Sequence, residues 1–196
     1  MSSRKMNTVC LLGSPRRGGN SDTLAQRFVQ QACAYEVSPQ TFALSDLNYN
    51  GCQNLFHCKE GSEHCGQVDD LTEVLKAIST AQVLVLATPV YFTSVSGPMK
   101  LAIDRFFSFF VPNYPTAQKK SRLTSARHLV FLQTQGEPEN MYAGILDSFS
   151  ASFTGLGFDQ HHLVRACEVR QPGDIFQASN ALEECDAIAA LIYGDP

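Results

Sequence analysis

The chain is predicted to be an α/β protein in which a five-stranded parallel sheet carries helices on both faces. Short apolar runs alternate with segments of helical periodicity from end to end, which is typical of such a sheet. Hydrophobic residues make up 44% of the 196 residues, enough to bury a sizeable core. No internal repeat or linker interrupts the pattern, so residues 1–196 are expected to form a single domain.

The five strands are expected at short apolar segments bounded by turn residues. Thr8–Leu12 is such a segment, and Gly13 and Pro15 end it. Residues 83–87 read VLVLA, a continuous apolar run that is typical of a strand buried on both faces. The remaining strands are expected at residues 39–44, 128–134 and 163–169.

The helices are expected where apolar residues recur every three or four positions. The first begins at Asn20 or Ser21, either of which can cap it, and the second covers residues 71–78. Further helices are expected at residues 97–110, at residues 140–156, and in a terminal segment ending at Tyr193. With right-handed crossovers, the flavodoxin-like doubly wound sheet fits this order best.

Ligands of a doubly wound sheet bind beyond the carboxyl ends of its strands, where the strand order reverses. Three loops are therefore candidates for a binding site: residues 13–21, 88–97 and 134–140.

The charge and hydropathy patterns exclude several classes of partner. A formal net charge of −4 at pH 7 argues against binding to nucleic acid or to an anionic membrane. No apolar run approaches the roughly 18 residues of a membrane helix, and no signal-peptide core precedes the first strand. We therefore expect a soluble, cytoplasmic protein.

The seven cysteines are odd in number and too few for a disulfide framework. Cys10 and Cys167 lie in predicted strands, and Cys33 and Cys185 lie at core positions of predicted helices. All four are expected to be buried as small hydrophobic side chains. The other three lie in an irregular segment, residues 45–67.

The first candidate loop, residues 13–21, reads GSPRRGGNS and leads directly into a predicted helix. Free amides and the helix dipole at such a point favour a phosphate, and Arg16 can add a bidentate contact. The loop does not match the Rossmann motif, because Pro15 replaces the second glycine. It also departs from the Walker A motif, because Gly19 and Asn20 replace the lysine and the hydroxyl residue.

A phosphatase is a further alternative for this loop. Cys10 and Arg16 have the spacing of a low-molecular-weight phosphotyrosine phosphatase, in which a thiolate attacks phosphorus. Against it, Cys10 lies within an apolar strand, and Arg17 stands where that family has a hydroxyl residue. The lone Asp-Pro pair, the usual source of that family's acid, is at the chain terminus, residues 195–196.

The second candidate loop, residues 88–100, reads TPVYFTSVSGPMK. Adjacent aromatic side chains and several hydroxyls suit a flat ring with polar edges. Ser96 can then cap a helix that has Pro98 in its first turn.

Together, GSPRxGGNS (13–21) and TPVYFxSVSGPMKxxxDR (88–105) resemble the NAD(P)H-dependent FMN reductases, especially the branch related to iron–sulfur flavoproteins. The resemblance spans residues 9 to about 136, and residues 173–175 before the last helix are also similar. It implies a flavodoxin-like fold, tight non-covalent FMN, reduction by NADPH or NADH, and assembly as a homodimer or homotetramer.

The resemblance also implies roles for residues of all three loops. The FMN phosphate would be held by Ser14, Arg16, Asn20 and Ser21. The isoalloxazine ring would be lined by Pro89, Val90, Tyr91 and Phe92. The match at Gln135 and Gly136 is weaker and implies a further ring contact.

The implied chemistry is hydride transfer from NAD(P)H to the flavin, for which no catalytic side chain is expected. Electrons would then pass to a small-molecule electron acceptor such as a flavin, a quinone or a nitro compound. Two alternatives stay open. One is a one-electron carrier of the flavodoxin or iron–sulfur flavoprotein kind, and the other is a redox sensor whose cysteine loop binds a metal.

The irregular segment is expected to hold no metal. Cys52, Cys58 and Cys65 match three cysteine positions of the iron–sulfur flavoproteins, but Leu55 stands where another cysteine would be. A four-iron cluster needs four thiolate ligands. The gaps between the three cysteines are also wider than those of structural zinc loops.

The predicted helix at residues 97–110 carries an apolar stripe and an ion pair. Ile103, Phe106, Phe107 and Phe110 lie on one face, while Phe109 and Phe92 lie off it. Aromatic residues on more than one face suggest an apolar contact patch, hence a homodimer. Lys100 and Asp104 have ion-pair spacing, so Asp104 and Arg105 are expected to anchor this helix rather than to react.

Overall fold

A computed structural model describes residues 6–178 and 180–194. The strands are β1 (Thr8–Leu12), β2 (Gln40–Ala43), β3 (Val83–Tyr91), β4 (Ser94–Val95), β5 (Arg127–Thr134) and β6 (Phe158–Ala166). The helices are α1 (Asn20–Ala34), α2 (Leu71–Thr80), α3 (Gly97–Arg105), α4 (Ile145–Leu156), α5 (Ile175–Ala178) and α6 (Ala181–Tyr193). Among the residues that the structure describes, there is no helix long and apolar enough to cross a membrane.

Five strands form a parallel sheet in the order β2-β1-β3-β5-β6. The chain moves outward from β1 to β2, and then returns to the other side of β1 to form β3. The strand order therefore reverses between β1 and β3. The register places Leu12 beside Ala87 and Thr134 beside Pro89, so three strands end close to this point. The predicted flavodoxin-like doubly wound sheet is confirmed.

Two apolar layers cover the two faces of the sheet. Alternate residues of β1 point to opposite sides, so Val9 and Leu11 join one layer while Cys10 and Leu12 join the other. The first layer packs against α2, α3 and α4, and the second packs against α1 and α6. Because helices cover both faces of the sheet, the ends of the strands are the part that stays accessible.

Three element boundaries differ from the sequence prediction. The last strand was predicted at residues 163–169, but β6 begins at Phe158, because polar Gln160, His161 and His162 pair along β5 and belong to the strand. The helix predicted from residue 140 begins at Ile145, since the preceding residues form a loop whose carbonyls accept side-chain hydrogen bonds. The helix predicted to reach residue 110 ends at Arg105 and continues as a 3-10 turn, Phe106–Phe109.

A short hairpin was not predicted. Strand β3 continues to Tyr91 and folds back onto β4. Phe92 and Thr93 form the turn, with φ of 45° and 70°. Residues other than glycine adopt this left-handed region infrequently. Because neither turn residue is a glycine, no turn signal marks this hairpin in the sequence.

Two of the four cysteines expected in the core are not buried there. Cys10 and Cys185 are fully buried, as predicted. Cys33 is exposed, because it lies on the solvent side of α1, and that prediction was wrong. Cys167 is half-buried and follows the end of β6, so the prediction that it lies within a strand was also wrong.

Candidate functional site

The loop after β1 is locked against the start of α3. Gly13 packs so tightly there that a Cβ atom would lie 2.9 Å from the Cβ atom of Met99. Ser96 caps α3 by accepting a hydrogen bond from the amide of Met99, and its hydroxyl donates to the carbonyl of Gly13 at 2.6 Å. The first two candidate loops are thus held together at the reversal of strand order.

The same loop then turns and opens the N-terminus of α1 toward the solvent. Gly18 has φ of +65°, and its amide donates to Asp22 Oδ2 at 2.9 Å. Burial raises the pKa of Asp22, while this hydrogen bond and Arg17 oppose the shift. Gly19 precedes the helix and contributes no side-chain cap. The first amides of α1 therefore lack an intrahelical acceptor and can bind an anion.

Two predicted phosphate ligands use their side chains to join α1 to other loops. The hydroxyls of Ser21 and Thr134 lie 2.6 Å apart, and Asn20 Nδ2 donates to the carbonyl of Gln171 at 2.9 Å. Both Asn20 and Ser21 are buried. Their side chains position the start of α1, and their backbone amides lie at the helix N-terminus.

The other two predicted phosphate ligands lie at the entrance. Ser14 accepts a hydrogen bond from the amide of Arg16 at 3.1 Å, which closes a tight turn. Arg16 is exposed, and its guanidinium donates to the carbonyl of Arg170 at 3.3 Å. Arg16 therefore places a cation at one end of the site, while Arg170 lines the same cleft with its guanidinium paired to Glu137 at 3.6 Å.

The end of β3 forms the second wall. Pro89, Val90 and Tyr91 line it, and Tyr91 is partly open to solvent. Phe92 does not, because the hairpin turn directs it outward with its whole side chain exposed. The structure thus separates Phe92 from the residues with which the sequence analysis grouped it.

The loop after β5 forms the third wall, and Gln135 organises it. The buried Gln135 shares its side-chain NH2 group among the carbonyls of Glu137, Pro138 and Met141, at 2.9 to 3.1 Å. Its side-chain oxygen accepts from Gln133 Nε2 at 2.7 Å. The side chain of Gln135 therefore holds the loop in shape.

These walls enclose one cleft of about 230 Å³. The cleft is lined by Ser14, Arg16, Gly19, Asn20, Ser21, Pro89, Val90, Tyr91, Thr134, Gln135, Gly136, Val169 and Arg170. Nine of the ten predicted site residues are among them. Gly19 and Thr134 lie in the predicted loops but were not named as site residues, and Val169 and Arg170, which follow β6, were missed because the end of that strand was misplaced.

Cys10 is unsuited to the phosphatase alternative. Burial, with a smaller effect of Asp22, raises the pKa of Cys10 to about 12. A thiol that stays protonated is a poor nucleophile, and Cys10 packs into the apolar layer beneath α1. The Asp195-Pro196 pair lies outside the described residues.

The irregular segment encloses a second cavity of only about 20 Å³, with Cys52, Cys58 and Cys65 in its lining. Arg105 anchors this segment from α3. Its guanidinium is fully buried and pairs with Asp69 at 2.7 Å, while its Nε donates to Cys65 Sγ at 3.0 Å. Across residues 6–178 and 180–194, no three His, Cys, Asp or Glu side chains are placed to hold a metal ion.

Comparison with known proteins connects the chain to a family of flavoenzymes. A family model described as NADPH-dependent FMN reductase matches residues 6–139, more than half of the chain. An iron-sulfur flavoprotein from Methanocaldococcus jannaschii is 32% identical over 100 residues, 51% of either chain. YwqN of Bacillus subtilis, provisionally assigned as an NAD(P)H-dependent FMN-containing oxidoreductase, is 27% identical over 93% of this chain and 100% of that protein. The chain spans about half the length of the iron-sulfur flavoproteins that it matches.

Solved structures share the whole fold at low sequence identity. An FMN-dependent NADH-azoreductase from Bacillus anthracis, in complex with FMN, gives a TM-score of 0.72 at 18% identity, over 96% of this chain and 100% of that one. An NAD(P)H:quinone oxidoreductase from Methanothermobacter marburgensis gives 0.74 at 16% identity, over 98% and 100%. At these identities the likeness concerns the fold.

Proposed function

This chain belongs to the NADPH-dependent FMN reductase family, and on that basis we propose that it takes hydride from NADPH or NADH onto a bound FMN and passes the electrons to a small acceptor. A flavin, a quinone or a nitro compound would suit that role. One observation carries the proposal. Loops from three neighbouring strands close a single cleft at the reversal of strand order, with an open helix N-terminus at one end and an apolar strand end beside it.

The phosphate of FMN is proposed to bind at the start of α1. The free amides there, together with the guanidinium of Arg16, match the chemistry of a dianion. Ser14 lies in the same turn, while Asn20 and Ser21 fix the helix start through their side-chain bonds. Arg170, whose guanidinium pairs with Glu137 at 3.6 Å, also lines the cleft and joins the proposed set.

The ring is proposed to lie along Pro89, Val90 and Tyr91. Their apolar atoms would cover a face of the ring and exclude water from it. The backbone of Gln135 and Gly136 would meet the ring edge across the cleft. When bound, FMN supplies the hydride-accepting chemistry, so the chain has to supply position and a dry surface.

The first test is a visible spectrum of the purified protein after incubation with FMN and removal of the excess. We expect one FMN per chain. Anaerobic NADPH or NADH should bleach the flavin absorbance, and addition of a quinone should restore it. Protein that takes up no FMN would contradict the proposal.

The same experiment separates the enzyme from an electron carrier. A carrier would bind FMN and be reduced by dithionite, yet neither nicotinamide nucleotide would bleach it. That outcome would refute the proposed hydride transfer while leaving the FMN site intact.

The proposal extends to the state of the protein in the cell. We propose that residues 1–196 act as one FMN-binding domain, that it forms a homodimer or homotetramer, and that it resides in the cytoplasm. The seven cysteines, all free thiols in the structure, support a reducing compartment.

A further inference from the structure

The irregular segment folds back on itself so that the two stretches carrying Cys58 and Cys65 touch at His57 and Gly66. Residues His57–Lys59 form a 3-10 turn, and the amide of Ser62 donates to the carbonyl of His57 at 3.2 Å. Gly66 closes the loop, because a Cβ atom on it would lie only 2.6 Å from the Cβ atom of His57. Cys58 and Cys65 are the next residues inward on the two touching stretches, and both line the small cavity in this segment.

Cationic side chains lie beside both stretches. Lys59 lies next to Cys58, with its Nζ donating to the carbonyls of Phe107 and Phe110 at 2.8 and 2.6 Å. Arg122 donates to the carbonyl of Cys58 at 2.9 Å. Among the described residues, neither Lys59 nor Arg122 has a carboxylate within 4.0 Å.

Arg105, which pairs with Asp69, donates from Nε to Cys65 Sγ at 3.0 Å. Basic neighbours and partial exposure characterise cysteines that react with oxidants. Cys58 and Cys65 are both half-buried, whereas the remote Cys10 and Cys185 are sealed in the core.

We propose that Cys58 and Cys65 are an oxidation site, at which hydrogen peroxide converts the two thiols into an intrachain disulfide. The sulfur of Cys65 attacks one oxygen of the peroxide, the O–O bond breaks, and a sulfenic acid and one water form. The sulfur of Cys58 then displaces the hydroxyl group as a second water. Two thiols lose two electrons in all, and the peroxide gains them.

Cys52 lines the same cavity but is not part of the pair. It precedes the closed loop and is exposed, and its neighbours Gly51 and Gln53 are hydrogen-bonded to the side chain of Gln67. The approach at His57 and Gly66 brings together the segments that carry Cys58 and Cys65, and Cys52 lies on neither.

The test is peptide mapping of the full-length protein after brief treatment with hydrogen peroxide. Digestion with trypsin and chymotrypsin cuts after Phe56 and Lys59, which places Cys52, Cys58 and Cys65 on separate peptides. We expect the loss of two free thiols per chain and a Cys58–Cys65 linked peptide that dithiothreitol releases. Linkage through Cys52, links between chains, or full retention of both thiols would overturn the proposal.

Two variants test the cysteine pair independently of flavin binding. Cys58→Ser should abolish the linked peptide and leave a Cys65 sulfenic acid that dimedone traps. Cys33→Ser, the matched control at an exposed cysteine far along the chain, should keep the full yield of linkage. If Cys58→Ser still lost two thiols per chain, as the unchanged protein does, the pair would be refuted, whether or not the protein reduces FMN.

Discussion

Among single residues, Arg16 is the one whose substitution tests the proposed phosphate end of the cleft. Its guanidinium is exposed at the cleft, where it touches only a backbone carbonyl among its hydrogen-bond partners in the described residues. Arg16→Ala should weaken FMN binding by about 1.5–3 kcal/mol, roughly 10- to 150-fold, as expected for a hydrogen bond to a charged group. Fluorescence titration with FMN measures this change.

Arg17 provides the matched control. It is the neighbouring residue with the same side chain, but it pairs with Asp46 at the surface and does not line the cleft. Arg17→Ala should therefore bind FMN nearly as the unchanged protein does. Equal losses in both variants would indicate a general effect of charge, and no loss in Arg16→Ala would contradict the proposed phosphate site.

His128 and His162 give the protein a pH-dependent stability. Their rings stack with centroids 5.3 Å apart, and His128 Nδ1 lies 3.1 Å from His162 Nε2. Burial lowers the pKa of both side chains, although Asp159 partly opposes the shift at His128. Near pH 6.5 and below, the unfolded chain therefore binds more protons than the folded one.

The free energy of unfolding should consequently fall as the pH drops below about 6.5. It should level off once the pH lies below the lowered pKa values of the folded state. Urea unfolding at pH 7.5 and pH 5.5 measures this change. His162→Gln should make the difference between the two pH values smaller, whereas His64→Gln, in the exposed loop, should leave it unchanged. If the unchanged protein and both variants showed the same difference in unfolding free energy between the two pH values, the assignment would be contradicted.

Most residues that line the candidate cleft could be predicted, because the strand order brings certain loops together. Once β1, β3 and β5 are recognised as parallel strands, the residues that follow each of them must meet at one edge. Phe92 was misplaced because the sequence does not mark the hairpin turn that directs it outward. Arg170 was missed because the polar start of β6 hid where that strand begins and ends.

At the scale of elements, apolar periodicity predicted interiors better than ends. β1 was predicted with its observed bounds, since glycine and proline stop it at once. The start of α4 could not be seen, because the loop before it is held not only by Gln135 from within but also by Arg165, which binds a loop carbonyl from a different part of the chain. Long-range hydrogen bonds of this kind leave no local pattern.

Arg105 joins two elements that the sequence pattern does not connect. From α3 it reaches the irregular segment, where it donates to the carbonyls of Asn50 and Gln67 and to both oxygens of Asp69. Removing one partner of a buried ion pair leaves an uncompensated charge. Arg105→Met should therefore lower the free energy of unfolding by about 3–5 kcal/mol, measured by urea denaturation.

Lys100→Met is the matched control on the same helix. Lys100 pairs with Asp104 at 2.6 Å, as its spacing predicted, but both side chains are well exposed. Exposed pairs contribute at most about 1 kcal/mol. If the two variants lost equal stability, burial of Arg105 would not be what anchors the segment.

At the scale of the whole molecule, the apolar groove between α3 and α4 is the surface expected to bind a second copy. It measures about 220 Å³, and most of its lining is aromatic or aliphatic. The lining residues are Lys100, Ile103, Asp104, Phe106, Phe107, Phe110, Phe149, Ser152, Phe153 and Leu156. The predicted stripe of the α3 region thus continues onto a second helix, which gives an extended patch.

Ser152→Arg should disrupt this contact without harming the fold, because Ser152 is exposed within the groove. Light scattering at micromolar concentration should give at least twice the chain mass of 21.5 kDa for the unchanged protein and a smaller mass for the variant. Thr154→Arg, exposed on α4 outside the groove, should keep the larger mass. A monomeric mass for the unchanged protein would contradict the prediction.

The cysteine segment decides whether the molecule carries one redox centre or two. In the resemblance to iron–sulfur flavoproteins, Leu55 takes the place of a cluster ligand, and its apolar side chain lines the cavity beside Cys52, Cys58 and Cys65. Three thiols leave a four-iron cluster one ligand short, and Arg105 already donates to the sulfur of Cys65. Flavin alone is therefore the expected redox group.

Protein purified without air should accordingly show flavin absorbance with less than stoichiometric iron and acid-labile sulfide. Leu55→Cys supplies the missing thiol at a partly exposed position, 48% accessible, where the exchange disturbs no core packing. Anaerobic reconstitution with iron and sulfide should load this variant and leave the unchanged protein nearly free of iron. Leu55→Ser, a substitution of similar size without a thiol, should behave like the unchanged protein. Near-stoichiometric iron and sulfide in the unchanged protein would overturn the prediction, because a complete cluster would then require a fourth ligand from elsewhere in the chain or from a partner.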